Sequence, residues 1–142
     1  MPPTTTNSTP LFTILLVEDD MDDIMLLKAA LQENKVACTV DVVTEGDKVN
    51  GYLDGAKELP HIIVLDFNLP KKHGKEILRE IKSDSRYSSI PVVVLTTSSS
   101  KEDMDYSYQH GANHFITKPT SVSGFNKAVN ILFELAFSTE KK

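Results

Sequence analysis

The chain has one cysteine and no tryptophan. A single thiol excludes an internal disulfide framework and makes a reducing compartment, the cytoplasm, the expectation. Cys38 lies in the apolar stretch VACTVDVV and reads as a core residue, not a reactive thiol. Positive charge is scarce: 15 basic residues against 20 acidic ones leave a net charge of −5. That balance disfavours nonspecific contact with DNA or an anionic membrane, so no direct nucleic-acid or membrane partner is expected. No run approaches the roughly 18 apolar residues of a membrane span. The opening MPPTTTNSTP has neither the basic nor the apolar region of a secretory signal. Those residues are too polar to pack, so 1–10 read as a disordered tail, 11–137 as a single domain and 138–142 as a polar end.

What is present is alternation. Short apolar runs of strand length occur at LFTILLV (11–17), VACTVDVV (36–43), HIIVLD (61–66), PVVVLT (91–96) and NHFIT (113–117). Between them lie segments of helical period, carried by Ile24, Leu27 and Leu31; Val49, Tyr52 and Leu53; Ile77, Leu78 and Ile81; Met104 and Tyr108; and Phe125, Val129, Leu132 and Phe133. Ser100 stands three before Asp103 as an N-cap pattern, and Gly111 follows SYQH where a helix needs a left-handed residue to end. Strands that are continuous apolar runs imply a parallel sheet covered on both faces, hence a three-layer α/β sandwich.

In such a sheet ligands bind outside the carboxyl ends of the strands, and here those ends are polar. The first strand runs into EDDMDD, the third ends at Asp66, the fourth at Thr96 and Thr97, and the fifth at Lys118 followed by Pro119. Each has an ordinary explanation alone: Asp19 or Asp20 as a helix cap, Thr96 as a partner for a fraying strand, Lys118 as a solvated charge. Convergence argues otherwise, because a parallel sheet crowds Glu18, Asp19 and Asp66 at one edge, where like charges destabilise one another. Mg²⁺ relieves that repulsion best, being a hard ion that takes one or two carboxylates and keeps waters to exchange for phosphate oxygens. A hydroxyl at Thr96 and an ammonium at Lys118 complete a site for a phosphoryl group.

The order of acidic pair, strand-end Asp, Thr and Lys-Pro, with 30 positions from Asp66 to Thr96 and 22 from Thr96 to Lys118, resembles the response-regulator receiver domains of two-component signalling. The likeness covers about residues 12–137. The wordings LDFNLPKKHGKEIL, IPVVVLTTS and SYQHGANHFITKP look most like single-domain bacterial regulators that partner phytochrome-type histidine kinases. The resemblance implies a flavodoxin-like (βα)5 fold with a five-stranded parallel sheet in the order 2-1-3-4-5. It implies that Asp66 accepts phosphate from a sensor histidine kinase or a histidine phosphotransfer protein, so that the chain is a phosphoacceptor and not an enzyme acting on a separate substrate. It further implies Mg²⁺ bound by Glu18, Asp19, Asp66 and the backbone carbonyl of Asn68. Thr96 and Lys118 would contact the phosphoryl oxygens, Thr96 and Phe115 would form the switch, and the Lys118–Pro119 peptide would be cis. Asp20, Asp22 and Asp23 match no required position and are left as acids at a helix start.

Two departures stand out. Phe115 occupies a position where many receivers carry tyrosine, and His73, in KKHG, replaces an acid often found before the glycine. Lys71 and Lys72 read as solvated loop charge. His110 and His114 are four apart, but Gly111 breaks the helical geometry of a zinc pair. Among competing functions, a haloacid-dehalogenase-type phosphatase needs its nucleophile in a D-x-D signature on the first strand and its acidic pair after the lysine, and a flavin carrier would find its phosphate repelled by EDDMDD. Output is expected through protein contact, as a homodimer across the fourth helix, fifth strand and fifth helix, because SGFNKAVNILFELAF carries more apolar residues than one stripe requires.

Overall fold

A computed structural model describes residues 12–138, without the side chains of 137 and 138. The expectations for the tail 1–10, for Leu11, for residues 139–142 and for the Phe137 side chain lie outside the described residues. Five strands, β1 (Phe12–Val17), β2 (Cys38–Val43), β3 (Ile62–Leu65), β4 (Val92–Thr96) and β5 (His114–Thr117), alternate with five helices. The helices are α1 (Met21–Glu33), α2 (Val49–Gly55, entered through a 3-10 turn at Gly46–Lys48), α3 (Gly74–Ser83), α4 (Lys101–Gln109) and α5 (Val122–Ser138). All strand pairs are parallel and the order is β2-β1-β3-β4-β5, the flavodoxin-like arrangement expected from the sequence.

The continuous apolar runs follow from burial on both faces. Leu15, Val17, Ile63, Leu65, Val92 and Val94 pack with Val49, Leu53, Ile77, Leu78 and Ile81, the layer of α2 and α3. Their neighbours Ile14, Leu16, Ile62, Val64, Val93 and Leu95 pack with Ile24, Leu27, Phe125, Val129 and Leu132, the layer of α1 and α5. Because successive side chains of a strand point to opposite faces, a polar residue within either run would be buried without water, and each aliphatic there contributes about 1.5–3 kcal/mol on leaving solvent.

Capping sets where the helices begin. Asp20 Oδ1 accepts the N–H groups of Asp22 (2.9 Å) and Asp23 (3.1 Å) at the start of α1. Ser100 Oγ accepts from Asp103 N–H at 3.1 Å to open α4, and Gly111, at φ 93, follows its end. The N-cap of α3 is His73, whose Nδ1 accepts from Lys75 N–H at 3.1 Å. The imidazole thus supplies the acceptor that an acid would provide at the same place.

On α5, Phe125, Val129, Leu132 and Ala136 are buried, while Phe133 is 45 % exposed and meets Phe12 edge-on at 6.4 Å between centroids. The apolar surplus expected on this helix is therefore partly consumed by the domain's own edge. Met104 and Tyr108 are exposed on α4. The Tyr108 hydroxyl accepts the backbone N–H of Phe115 on the edge strand β5 at 3.1 Å.

Candidate functional site

The sheet brings the polar strand ends together as the pairing demands. Val17 and Leu65, the last residues of β1 and β3, are register partners, so Glu18 and Asp66 leave adjacent strands side by side. Two backbone bonds hold them in line, Asp66 N–H to Val17 O at 3.0 Å and Glu18 N–H to Val43 O at 3.0 Å. Thr96 and Thr117 are partners at the end of β4 and β5, and Lys118 N–H donates to Thr96 O at 2.7 Å. All these strand ends therefore open on one edge.

Glu18, Asp19 and Asp66 each present a carboxylate oxygen within 4.8 Å of the others. Glu18 and Asp66 are only 2 % and 4 % exposed, whereas Asp19 faces solvent. Lys118 Nζ lies among them, 2.9 Å from Glu18 Oε1 and 3.1 Å from Asp66 Oδ2. Burial, opposed by the Lys118 hydrogen bond and reinforced by the charge of Asp66, pushes the Glu18 carboxyl up to about 7. For Lys118, burial works against the charge, but the hydrogen bonds to Asp23 and Glu18 outweigh it and hold the ammonium charged well above its ordinary range. One lysine does not neutralise so many acids, and a set made only of hard oxygen donors fits Mg²⁺ or Mn²⁺.

Thr96 is fully buried, and its Oγ1 has no hydrogen-bond partner among the described residues. A buried hydroxyl left unpaired costs about 1–3 kcal/mol, a cost that a ligand oxygen within reach would remove. Asn68 lies in the loop after β3, with its N–H donating to Asp66 Oδ1 at 3.2 Å. That contact holds one carboxylate oxygen of Asp66 while Lys118 holds the other. The loop is close-packed behind it, since a Cβ on Gly74 would stand 2.3 Å from Asp66 O and 2.5 Å from Phe67 Cα.

Three expectations are corrected. No peptide bond among the described residues is cis, so Lys118–Pro119 is trans. The trans form is preferred by about 0.5–1 kcal/mol before proline, and the ion pairs together with the Lys118 N–H bond to Thr96 suffice to aim the side chain. Asp23 is not merely a helix-start acid, because its Oδ2 stands 2.7 Å from Lys118 Nζ, closer than either Glu18 or Asp66. Lys72 is no solvated charge, since Nζ pairs with Glu80 at 2.5 Å. Phe115, assigned to the switch, is 8 % exposed and sits edge-on to Phe67 at 6.4 Å, so its ring is already inward in this conformation. His110 stacks on Tyr106 at 4.0 Å between centroids, and the cluster of potential metal ligands among the described residues is the acidic one.

A network links the loop after β4 to the neighbouring helices. Ser98 Oγ donates to Asp103 Oδ2 at 2.6 Å, Lys75 Nζ pairs with Asp103 Oδ1 at 2.6 Å, and Tyr106 Oη donates to Lys75 O at 2.9 Å. A displacement of the Thr96 loop therefore has a physical route into α4 and the start of α3.

Residues 14–130 match the family described as Response regulator receiver domain. The chain is 36 % identical over 127 residues to response regulator Rcp1 of Synechocystis sp., covering 86 % of each protein. It is 35 % identical over 127 residues to the probable methanogenesis regulatory protein FilR2 of Methanothrix harundinacea, covering 87 % of this chain and 82 % of that one. The solved structure of the phosphorylated cyanobacterial phytochrome response regulator RcpA has a TM-score of 0.82 at 39 % identity, over 92 % of this chain and 96 % of that one. The Mn²⁺-bound form of Rcp1 has a TM-score of 0.76 at 34 % identity, over 84 % and 90 %.

Proposed function

The chain belongs to the response-regulator receiver domain family, and from that membership we propose that Asp66 accepts a phosphoryl group from the phosphohistidine of a sensor kinase or a histidine phosphotransfer protein. The observation that carries this reading is the placement of Lys118 Nζ 3.1 Å from Asp66 Oδ2 at a strand end shared with Glu18 and Asp19. An Asp66 carboxylate oxygen forms the new O–P bond as the P–N bond of the donor breaks, and the released imidazole nitrogen keeps the electron pair and takes a proton.

Glu18, Asp19, Asp66 and the Asn68 carbonyl would hold Mg²⁺, which when bound would supply positive charge to offset that of the transferring oxygens. Lys118 offers an ammonium to one phosphoryl oxygen, and Thr96 offers its unpaired hydroxyl to another. Thr96 is then drawn toward the phosphoryl group, while Phe115, already packed on Phe67, keeps the vacated space closed. The chain is then a signalling acceptor that does not turn over a separate substrate, with slow loss of the acyl phosphate to water, and the cytoplasm is its compartment.

Similarity to the phytochrome response regulator RcpA supports a phytochrome-type kinase as donor; output as a homodimer through α4, β5 and α5 is supported by the exposure of Met104, Tyr108 and Phe133 on those helices. The assignment is tested by incubation with acetyl phosphate and Mg²⁺. Intact mass should rise by one phosphoryl group in the wild type and not in Asp66→Asn; undiminished labelling of that variant would sink it.

A further inference from the structure

An ammonium has three N–H donors, and all three on Lys118 face carboxylates: Asp23 at 2.7 Å, Glu18 at 2.9 Å and Asp66 at 3.1 Å. Cation binding and transfer to Asp66 between them change two of these partners. Asp66 becomes an acyl phosphate and loses its carboxylate charge, and Glu18 belongs to the acidic group that fits a divalent cation. Asp23 alone stands apart from that group, on the first turn of α1, where the Asp20 cap fixes the backbone by accepting its N–H at 3.1 Å. A flexible four-carbon stem needs one fixed contact if its head is to stay aimed while the other two change.

We propose that Asp23 is a positioning residue, tethering Lys118 from α1 so that its ammonium stays directed at the phosphoryl group throughout transfer to Asp66. The inference rests on Asp66 as the acceptor and deepens that reading. A plainer role is available to Asp23, that of a first-turn acid favoured by the positive end of the helix dipole. Asp22 provides the comparison: it occupies the same turn, is exposed, and makes no contact with Lys118 among the described residues. A dipole effect would be shared by both acids, whereas a tether belongs to Asp23 alone.

The test measures the rate of phosphorylation of the full chain by acetyl phosphate at saturating Mg²⁺, and the Mg²⁺ dissociation constant separately. Asp23→Ala should slow phosphorylation on the order of 10-fold, the scale of a displaced catalytic contact, with Mg²⁺ affinity held within about twofold. Asp19→Asn should weaken Mg²⁺ binding itself. Asp23→Glu should recover most of the rate by restoring the charge, Asp23→Asn should fall between, and Asp22→Ala should match the wild type. A wild-type rate in Asp23→Ala, an equal loss in Asp22→Ala, or a loss wholly removed by more Mg²⁺ overturns the proposal. If Asp23→Ala does not fold, as judged by circular dichroism, the near-isosteric Asn and the Glu variants decide on the same criteria. Asp66→Asn run alongside separates the two claims, because labelling there refutes the acceptor, while Asp66-dependent labelling with an unchanged Asp23→Ala rate refutes only the tether.

Discussion

Glu18→Gln should make the metal-free protein more stable, and by an amount that grows with pH. The side chain is buried beside Asp66, and its carboxyl is pushed from the ordinary 4.5 to about 7. The folded state therefore binds this proton more tightly than the unfolded one. Between pH 4.5 and about 7 unfolding releases the Glu18 proton, so this group's contribution to stability falls as pH rises; the penalty is absent below that window and complete above it. A rise of this size corresponds to about 3 kcal/mol, a large part of the roughly 5–15 kcal/mol that holds a domain folded. Glutamine keeps the shape and an oxygen for the Asp20 N–H, which Glu18 Oε2 accepts at 3.1 Å, but it does not titrate. Urea unfolding with chelator at pH 4.5, 6 and 8.5 reads the difference. With a denaturant slope of about 2 kcal/mol per molar, the variant's midpoint should gain about 1.5 M on the wild type between the lowest and highest pH. Saturating Mg²⁺ should erase most of the advantage at pH 8.5, because the charged carboxylate then has its cation. A difference that stays flat from pH 4.5 to 8.5, or shrinks, would refute the claim that the Lys118 ion pair leaves the buried Glu18 charge incompletely compensated.

Thr96→Val should raise the metal-free midpoint by the equivalent of about 1 kcal/mol, since it replaces an unpaired buried hydroxyl with a methyl group, while slowing phosphorylation of Asp66; a destabilised variant would mean that Oγ1 has a partner. Light scattering before and after beryllofluoride, whose adduct stands in for the phosphoryl group on Asp66, should show a shift toward dimer; a monomer in both samples at about 100 times a micromolar dissociation constant would remove the homodimer.

Much of this site could be read from the chain because a parallel sheet converts strand ends into neighbours. Once HIIVLD and PVVVLT are strands, Asp66 and Thr96 have no other place to go. Asp23 was missed for a reason of the same kind. Its contact with Lys118 depends on how far α1 is rotated about its axis against the end of β5, and the run MDDIMLLKAALQE carries that phase only through the burial of Ile24, Leu27, Ala30 and Leu31. The signal was present in principle, since Asp23 directly precedes the first core residue of the helix. His73 was opaque because imidazole is an uncommon cap, and its role depends on which ring nitrogen faces the helix. The isomer of Lys118–Pro119 is not written in composition at all, because the two forms before proline differ by so little energy.

The Tyr108 phenol on the Phe115 N–H has a further consequence. β5 is the last strand of the sheet, and an open strand edge is a template on which any other extended chain can continue the ladder. A helix-borne hydroxyl occupying one of its donors breaks that template at its second residue, leaving less than the run of free groups an added strand would need. Growth of the sheet by another molecule is hindered on this side by that side chain, and Lys118 and Pro119 follow directly where the strand ends. Contact through this face is thereby left chiefly to side chains, of which Met104 and Tyr108 on α4 stand exposed.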